Sequence, residues 1–108
     1  MKLVGIVIGI LLAAGPSWAA DLKATLKKAE AGEAASQYQL AERYAEADGV
    51  DQDYQAALKW ARQAADQGNA KAQYRMASIL FLGVTGEARQ PEALQLFRKS
   101  AEGLEKLA

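Results

Sequence analysis

The side chains here that could do chemistry are carboxylates, hydroxyls and aromatic rings, because the chain holds neither histidine nor cysteine. That absence removes thiol chemistry, disulfides, c-type haem attachment, the usual zinc sites and any histidine-based triad. Asp48, Asp51 and Asp53 surround Gly49, a composition that invites calcium. A calcium loop needs alternate acidic ligands ahead of its glycine and a bidentate Glu near its end. Here the glycine comes second, and Gln52 and Tyr54 intervene, so a polar turn followed by a helix N-cap is expected instead. Glu42 and Glu46 stand one turn apart on a helix face, a common spacing for solvated charge, and acid–base work would need a cleft that raises one of their pKa values. Ser36, Ser78 and Ser100 have no neighbouring base. The expectation is a protein that is not an enzyme and that uses no cofactor and no metal.

Partners are bounded in the same way. Thirteen Lys and Arg balance thirteen Asp and Glu in 108 residues, so no electrostatic footprint for nucleic acid or an anionic membrane is present. The length allows one domain.

What must position these residues is a unit that the chain states twice. ALKWARQAAD (Ala57–Asp66) returns as ALQLFRKSAE (Ala93–Glu102), about 36 residues later, and self-similarity at such a period marks a stacked repeat protein. Gly32 pairs with Gly68, Ala34 with Ala70, Gln37 with Gln73, Tyr38 with Tyr74 and Ala41 with Ala77. Tyr38, Tyr44, Trp60 and Tyr74 could line a pocket, but the repeat places them at packing positions. The fold class expected is all-α.

Residues 1–19 read as a signal peptide. Lys2 supplies the charged start, Leu3–Ala14 the apolar core, Gly15 and Pro16 the break, and Ser17 and Ala19 the small residues of a cleavage site after Ala19. About a dozen apolar residues fall short of the ~20 that span a bilayer, so no stable membrane anchor is expected after cleavage. The expected location is periplasmic or secreted. Residues 20–32 read as an N-terminal capping helix, with Asp21 as N-cap and Gly32 as its end. Residues 33–68 form repeat 1. Its first helix runs from about Glu33 to Ala47, with Ala34, Tyr38, Ala41, Tyr44 and Ala45 inward and Glu42, Arg43 and Glu46 toward water. Gly49 turns the connection and Val50 plugs it. Asp53 caps a second helix, with Ala57, Leu58, Trp60, Ala61, Ala64 and Ala65 inward and Gly68 ending it. Residues 69–108 form repeat 2 with a C-terminal cap. Asn69 caps a helix over Ala70–Leu82, and Gly83-Val84 echoes Gly49-Val50. Pro91 opens a last helix with Ala93, Leu94, Leu96, Phe97 and Ala101 inward. Gly103 is expected to weaken or end that helix, leaving Leu104 and Leu107 in a short cap.

The pattern A-x-x-x-Y-x-L-A-x-x-Y (Ala34–Tyr44), then DGV, then D-Y-x-x-A-L-K-W-x-x-x-A-A-x-x-G (Asp53–Gly68) resembles the Sel1-like repeat family, with Ala41 where that family usually has Gly. The resemblance covers residues 21–108, closely in repeat 1 and loosely in repeat 2. It implies a short α-solenoid of antiparallel helix pairs, two Sel1-like repeats behind an N-terminal capping half-repeat, related to tetratricopeptide repeats. It also implies binding along the concave face that the first helix of each repeat lines. By that analogy Glu42, Glu46, Lys71, Ser78 and Phe81 are candidates for protein binding. Bacterial members act as adaptors in envelope signalling, secretion, polysaccharide export and host interaction, so an exported adaptor or scaffold is implied. The alternative is a small periplasmic inhibitor or immunity-type protein that neutralises a secreted effector.

The clearest departure between the copies is Ser78–Leu82 (SILFL) against Glu42–Glu46 (ERYAE). Four consecutive apolar residues cover every face of a helix, so one face should lie outside the core seam unless something covers it. Ile79, Phe81 and Leu82 are therefore added as candidates for docking another protein or a second copy. The competing reading has the segment around Leu104 and Leu107 covering them.

Overall fold

A computed structural model describes residues 17–86 and 89–107, and every regular element among them is helical. We number the five helices α1 (Ser17–Glu30), α2 (Ala34–Glu46), α3 (Tyr54–Asp66), α4 (Ala70–Leu82) and α5 (Gln90–Leu107). Each packs on the next along the chain, and α2 also touches α4, so α2/α3 and α4/α5 are successive pairs in one stack. This is the helical-repeat solenoid implied above. The apolar stretch Leu3–Ala14 lies outside the described residues. Among the described ones, no helix is long and apolar enough to cross a membrane.

Alanine builds the seams. Ala41, Ala57, Ala61, Ala64, Ala72, Ala77 and Ala93 are all fully buried. Alanine is the best helix former, and its lone methyl lets helix axes approach toward the short end of the usual 8–10 Å. Larger groups fill what remains. Leu40 is buried on α2, and Met76 and Leu80 join the alanines from α4, with Tyr38, Leu58, Trp60, Leu96 and Phe97 half-buried around them.

The starts and stops follow local chemistry. The Asp53 carboxylate accepts from the Ala56 amide at 3.1 Å, and the Asn69 side-chain oxygen accepts from the Ala72 amide at 2.9 Å. Each satisfies one of the free donors of a helix start. Gly32 and Gly68 end their helices with φ of +100° and +89°, a region that costs glycine nothing. Ala47 takes the same left-handed role after α2, at φ 56°, where a Cβ is strained. Its counterpart in the second pair is Gly83, at φ 68°. Gly83 thus replaces Ala47, not Gly49 as the local echo implied.

Side-chain amides, centred on the buried Gln37, tie the units together. Gln37 donates to the Ala29 carbonyl at 3.1 Å and to Gln63 Oε1 at 3.3 Å, while Gln67 donates to Gln37 Oε1 at 2.9 Å and to the Gly32 carbonyl at 3.0 Å. One repeat later, Gln73 donates to the Ala65 carbonyl at 3.4 Å. The repeated glutamine is thus a staple onto the last turn of the preceding helix, where carbonyls have no partner within their own helix.

Four expectations are corrected. Asp21 does not cap α1, because the helix begins at Ser17. Its carbonyl accepts from the Thr25 hydroxyl and its carboxylate pairs with Arg43. Arg43 and Glu42 do not simply face water, since α1 and α4 lie against them and each is half-buried in an ion pair. Gly103 does not end α5, which runs on to Leu107. A Cβ there would stand 2.8 Å from the Ala70 Cβ, so glycine is required by close approach of α5 to α4. Leu94 and Ala101 do not point inward. The buried residue of that turn is Ser100, whose hydroxyl donates to the Ala70 carbonyl at 2.8 Å.

Candidate protein-binding face

The face shared by α2 and α4 collects most of the side chains that could recognise a partner. Arg75, on α4, reaches across to α2 and pairs with Glu42 through two nitrogens, one at 2.8 Å from Glu42 Oε2, and with Glu46 at 3.4 Å. A two-nitrogen pairing holds a carboxylate in a fixed plane, which a single ammonium cannot do. The hydrogen bonding of Arg75 to the Glu42 carboxylate is the main reason the guanidinium is held charged even more firmly than usual. Glu46 is mostly exposed, so its contact with Arg75 contributes little stability and leaves its carboxylate available.

Tyr38 sits half-buried beside this bridge. Burial first, and the Glu42 charge second, push its phenol above the ordinary 10.0. It stays a neutral donor and acceptor through physiological pH. Tyr38 also lines a groove of about 670 Å³ with Ala35 and Gln39 of α2, Asn69 and Lys71 at the start of α4, and Lys106 near the end of α5. Two ammonium groups therefore stand at one end of the face, and the Glu42–Arg75–Glu46 bridge at the other.

The expected site residues separate into four places. Glu42 and Glu46 are brought together by Arg75, and Lys71 lines the groove. Ser78 is half-buried and its hydroxyl donates to the Tyr74 carbonyl at 3.0 Å, within its own helix. Ile79 is not on the surface. At 2% exposure it fills a second core cluster with Ala45 and Ala57, under Tyr44, Tyr54 and Leu58. It is covered from the preceding pair rather than by Leu104, and the side chain of Leu107 lies outside what is described. A docking patch, or self-association, built on Ile79 is therefore excluded. Phe81 leans on Phe97, with ring centroids 6.3 Å apart, and Leu82 is 70% exposed at the end of α4.

Two contributors lie outside what the repeat pattern implies. Arg75 is 33 residues from Glu42, and nothing local marks it as the bridge. Tyr74, at a packing position of the repeat, is 56% exposed and stands edge-on to Phe97 at 5.4 Å. Asp48, Asp51 and Asp53 do not converge, and among the described residues no cluster of His, Cys, Asp and Glu could hold a metal ion.

Comparison with known proteins agrees with the architecture. Residues 34–69 and 70–103 each match the family model of the Sel1 repeat. A protective antigen with an SLR fold, present in uropathogenic Escherichia coli strains, superposes at a TM-score of 0.73 with 38% identity over 75% of this chain. A Sel1 repeat protein from Oxalobacter formigenes superposes at 0.72 with 29% identity over 76%. Those two chains are much longer, and the match spans only 17% and 24% of them. No curated protein matches significantly. Sel1 repeat proteins in general mediate protein–protein contacts and form a scaffold family rather than a catalytic one.

Proposed function

Because this chain belongs to the Sel1 repeat family, we propose that it is an exported adaptor that holds one protein partner along the α2–α4 face. The observation that carries this reading is the Glu42–Arg75–Glu46 bridge beside the groove of Tyr38, Lys71 and Lys106. The bridge fixes the spacing of the two helices before any partner arrives, and a preorganised surface binds at lower entropic cost. The groove's lysines favour a segment that presents a carboxylate, and Tyr38 offers it an apolar ring with a polar tip.

Export rests on the charged start, apolar core and small-residue cleavage site of residues 1–19. Cleavage after Ala19 would make Asp21 the second residue of the mature chain. Its carboxylate would then lie in the first turn of α1, where the helix dipole and Arg43 both favour it. A periplasmic or secreted protein without cysteine depends on its alanine seams and amide staples alone.

The test is capture of partners from an envelope extract by the mature chain and by the variant Lys71→Glu/Glu46→Lys. Both positions are exposed, so circular dichroism should show unchanged helix content. One partner held by the parent and lost by the variant supports the reading. A partner held equally by both, or no partner for either, contradicts it.

A further inference from the structure

We propose that the partner segment held on the α2–α4 face is an extended peptide of opposite charge at its two ends, a carboxylate and a basic side chain about four to six residues apart, a proposal that rests on the adaptor reading above. Two cavities open along α2 and share Tyr38 and Gln39. The groove of about 670 Å³ runs from them toward Ala35 and the start of α4. A smaller one, about 310 Å³, runs the other way, past Glu42 and Arg43 to Asp48, with Asp21 of α1 on its wall. The two lie end to end, and apart from Gly103 and Lys106 every residue lining them precedes Ala72 in the chain.

The ends of this channel differ in sign. Lys71 and Lys106 are the charged residues of the first cavity, both exposed, and neither forms an ion pair among the described residues. At the other end Arg43 answers Asp21, and Arg75 is engaged by Glu42. That leaves Asp48 exposed without an ion pair among the described residues, and Glu46 mostly exposed with a 3.4 Å contact to the same Arg75. One end therefore keeps uncompensated positive charge and the other uncompensated negative charge. An all-acidic segment is repelled at the Glu46 end and an all-basic one at the Lys71 end, so the pair of ends selects a ligand that carries both charges.

What lies between the ends favours an extended chain. The Gln39 amide is exposed and can both donate and accept, as can the Tyr38 hydroxyl. An extended segment has free peptide groups to offer them, whereas a helix has already used its own. Length then sets the spacing. Lys71 is the repeat counterpart of Ala35 and lines the same cavity, and from Ala35 to Glu46 a helix rises about 16 Å. An extended chain advances about 3.3 Å per residue and returns a side chain to the same side at every second position. Charges about four or six residues apart on one side of the segment thus reach both ends.

NMR mapping of the purified chain with two Ser-Gly peptides of identical composition tests this. Each peptide carries one Asp and one Arg, about four residues apart in the first and adjacent in the second. The spaced peptide should shift the amides of Gln39, Glu46 and Lys71 and bind about threefold more tightly than the adjacent one, the factor of one exposed ion pair. Lys71→Glu and Glu46→Lys, both at exposed positions, should each weaken the spaced peptide by about the same factor, with helix content unchanged. Equal binding of the two peptides, or no shifts along this face, overturns the proposal. Capture of the natural partner by the parent and by Lys71→Glu/Glu46→Lys decides the adaptor reading separately, because it does not depend on the spacing of charges in a peptide.

Discussion

The two helical pairs carry the same positions into different surroundings. Ala45, Ala61 and Ala65 of the first pair are buried under the second, whereas Phe81 and Ala101 of the second are exposed and Phe97 is half-covered by aromatic neighbours. The left-handed residue after the first helix is a strained Ala47 in one pair and Gly83 in the other. Arg43, facing the α1 cap, pairs with Asp21, while its counterpart Ile79, facing α2 and α3, is core. What a position holds therefore follows from which unit lies against it. The repeat specifies the helix, and the neighbour specifies the side chain.

The sharpest way to break this contrast is to make one substitution at both copies of a position. Ala65→Leu overpacks a closed seam and should cost about 2 kcal/mol, whereas Ala101→Leu, on an open face, should stay within about 0.5 kcal/mol. Urea unfolding reads both. Equal costs would mean the two seams are not differently covered. Next in size is the staple. Gln37→Ala removes three side-chain hydrogen bonds, to the Ala29 carbonyl, Gln63 and Gln67, and should cost about 2 kcal/mol. Gln73→Ala, with one long bond and more exposure, should cost about 1 kcal/mol.

Much of the fold can be read from the amino-acid sequence alone. The period, the turn at Gly32 and Gly68, the caps at Asp53 and Asn69 and the span Ala70–Leu82 depend on residues close in sequence, whose geometry is local. Pro91, expected at the first helical position, is second after Gln90. Three of the misses share one cause. Ile79 reads as surface because its counterpart is Arg43, yet Arg43 is itself half-buried, its stem covered and its head on Asp21. Gly103 reads as a helix breaker because its need for close approach depends on Ala70, far back in the chain. Arg75, the centre of the candidate site, joins carboxylates a whole repeat away. None of these carries a local signal, because each is a contact between units.

Smaller effects refine the contrast. Ala47→Gly removes a left-handed alanine and should stabilise by up to about 1 kcal/mol, while Gly83→Ala introduces one and should destabilise by a similar amount. Thermal unfolding should show opposite signs at the two equivalent caps. The least effect concerns Tyr38. With its folded pKa raised above 10.0 by burial and Glu42, the folded chain releases that proton later than the unfolded one. The associated stability is complete below pH 10.0 and is lost as pH rises through the folded value. Ultraviolet titration should show a late tyrosinate component, and Tyr38→Phe should remove it.

The α2–α4 face as the binding surface is best tested by site-specific photo-crosslinking in cells, with the reactive group placed in turn at Lys71 on that face and at Lys59 on the exposed side of α3. A single protein partner should be trapped from Lys71, Arg75→Glu should abolish the trapping, and Lys59 should trap none. Trapping of the same partner from Lys59, or no loss with Arg75→Glu, would contradict the assignment of that face as the binding surface.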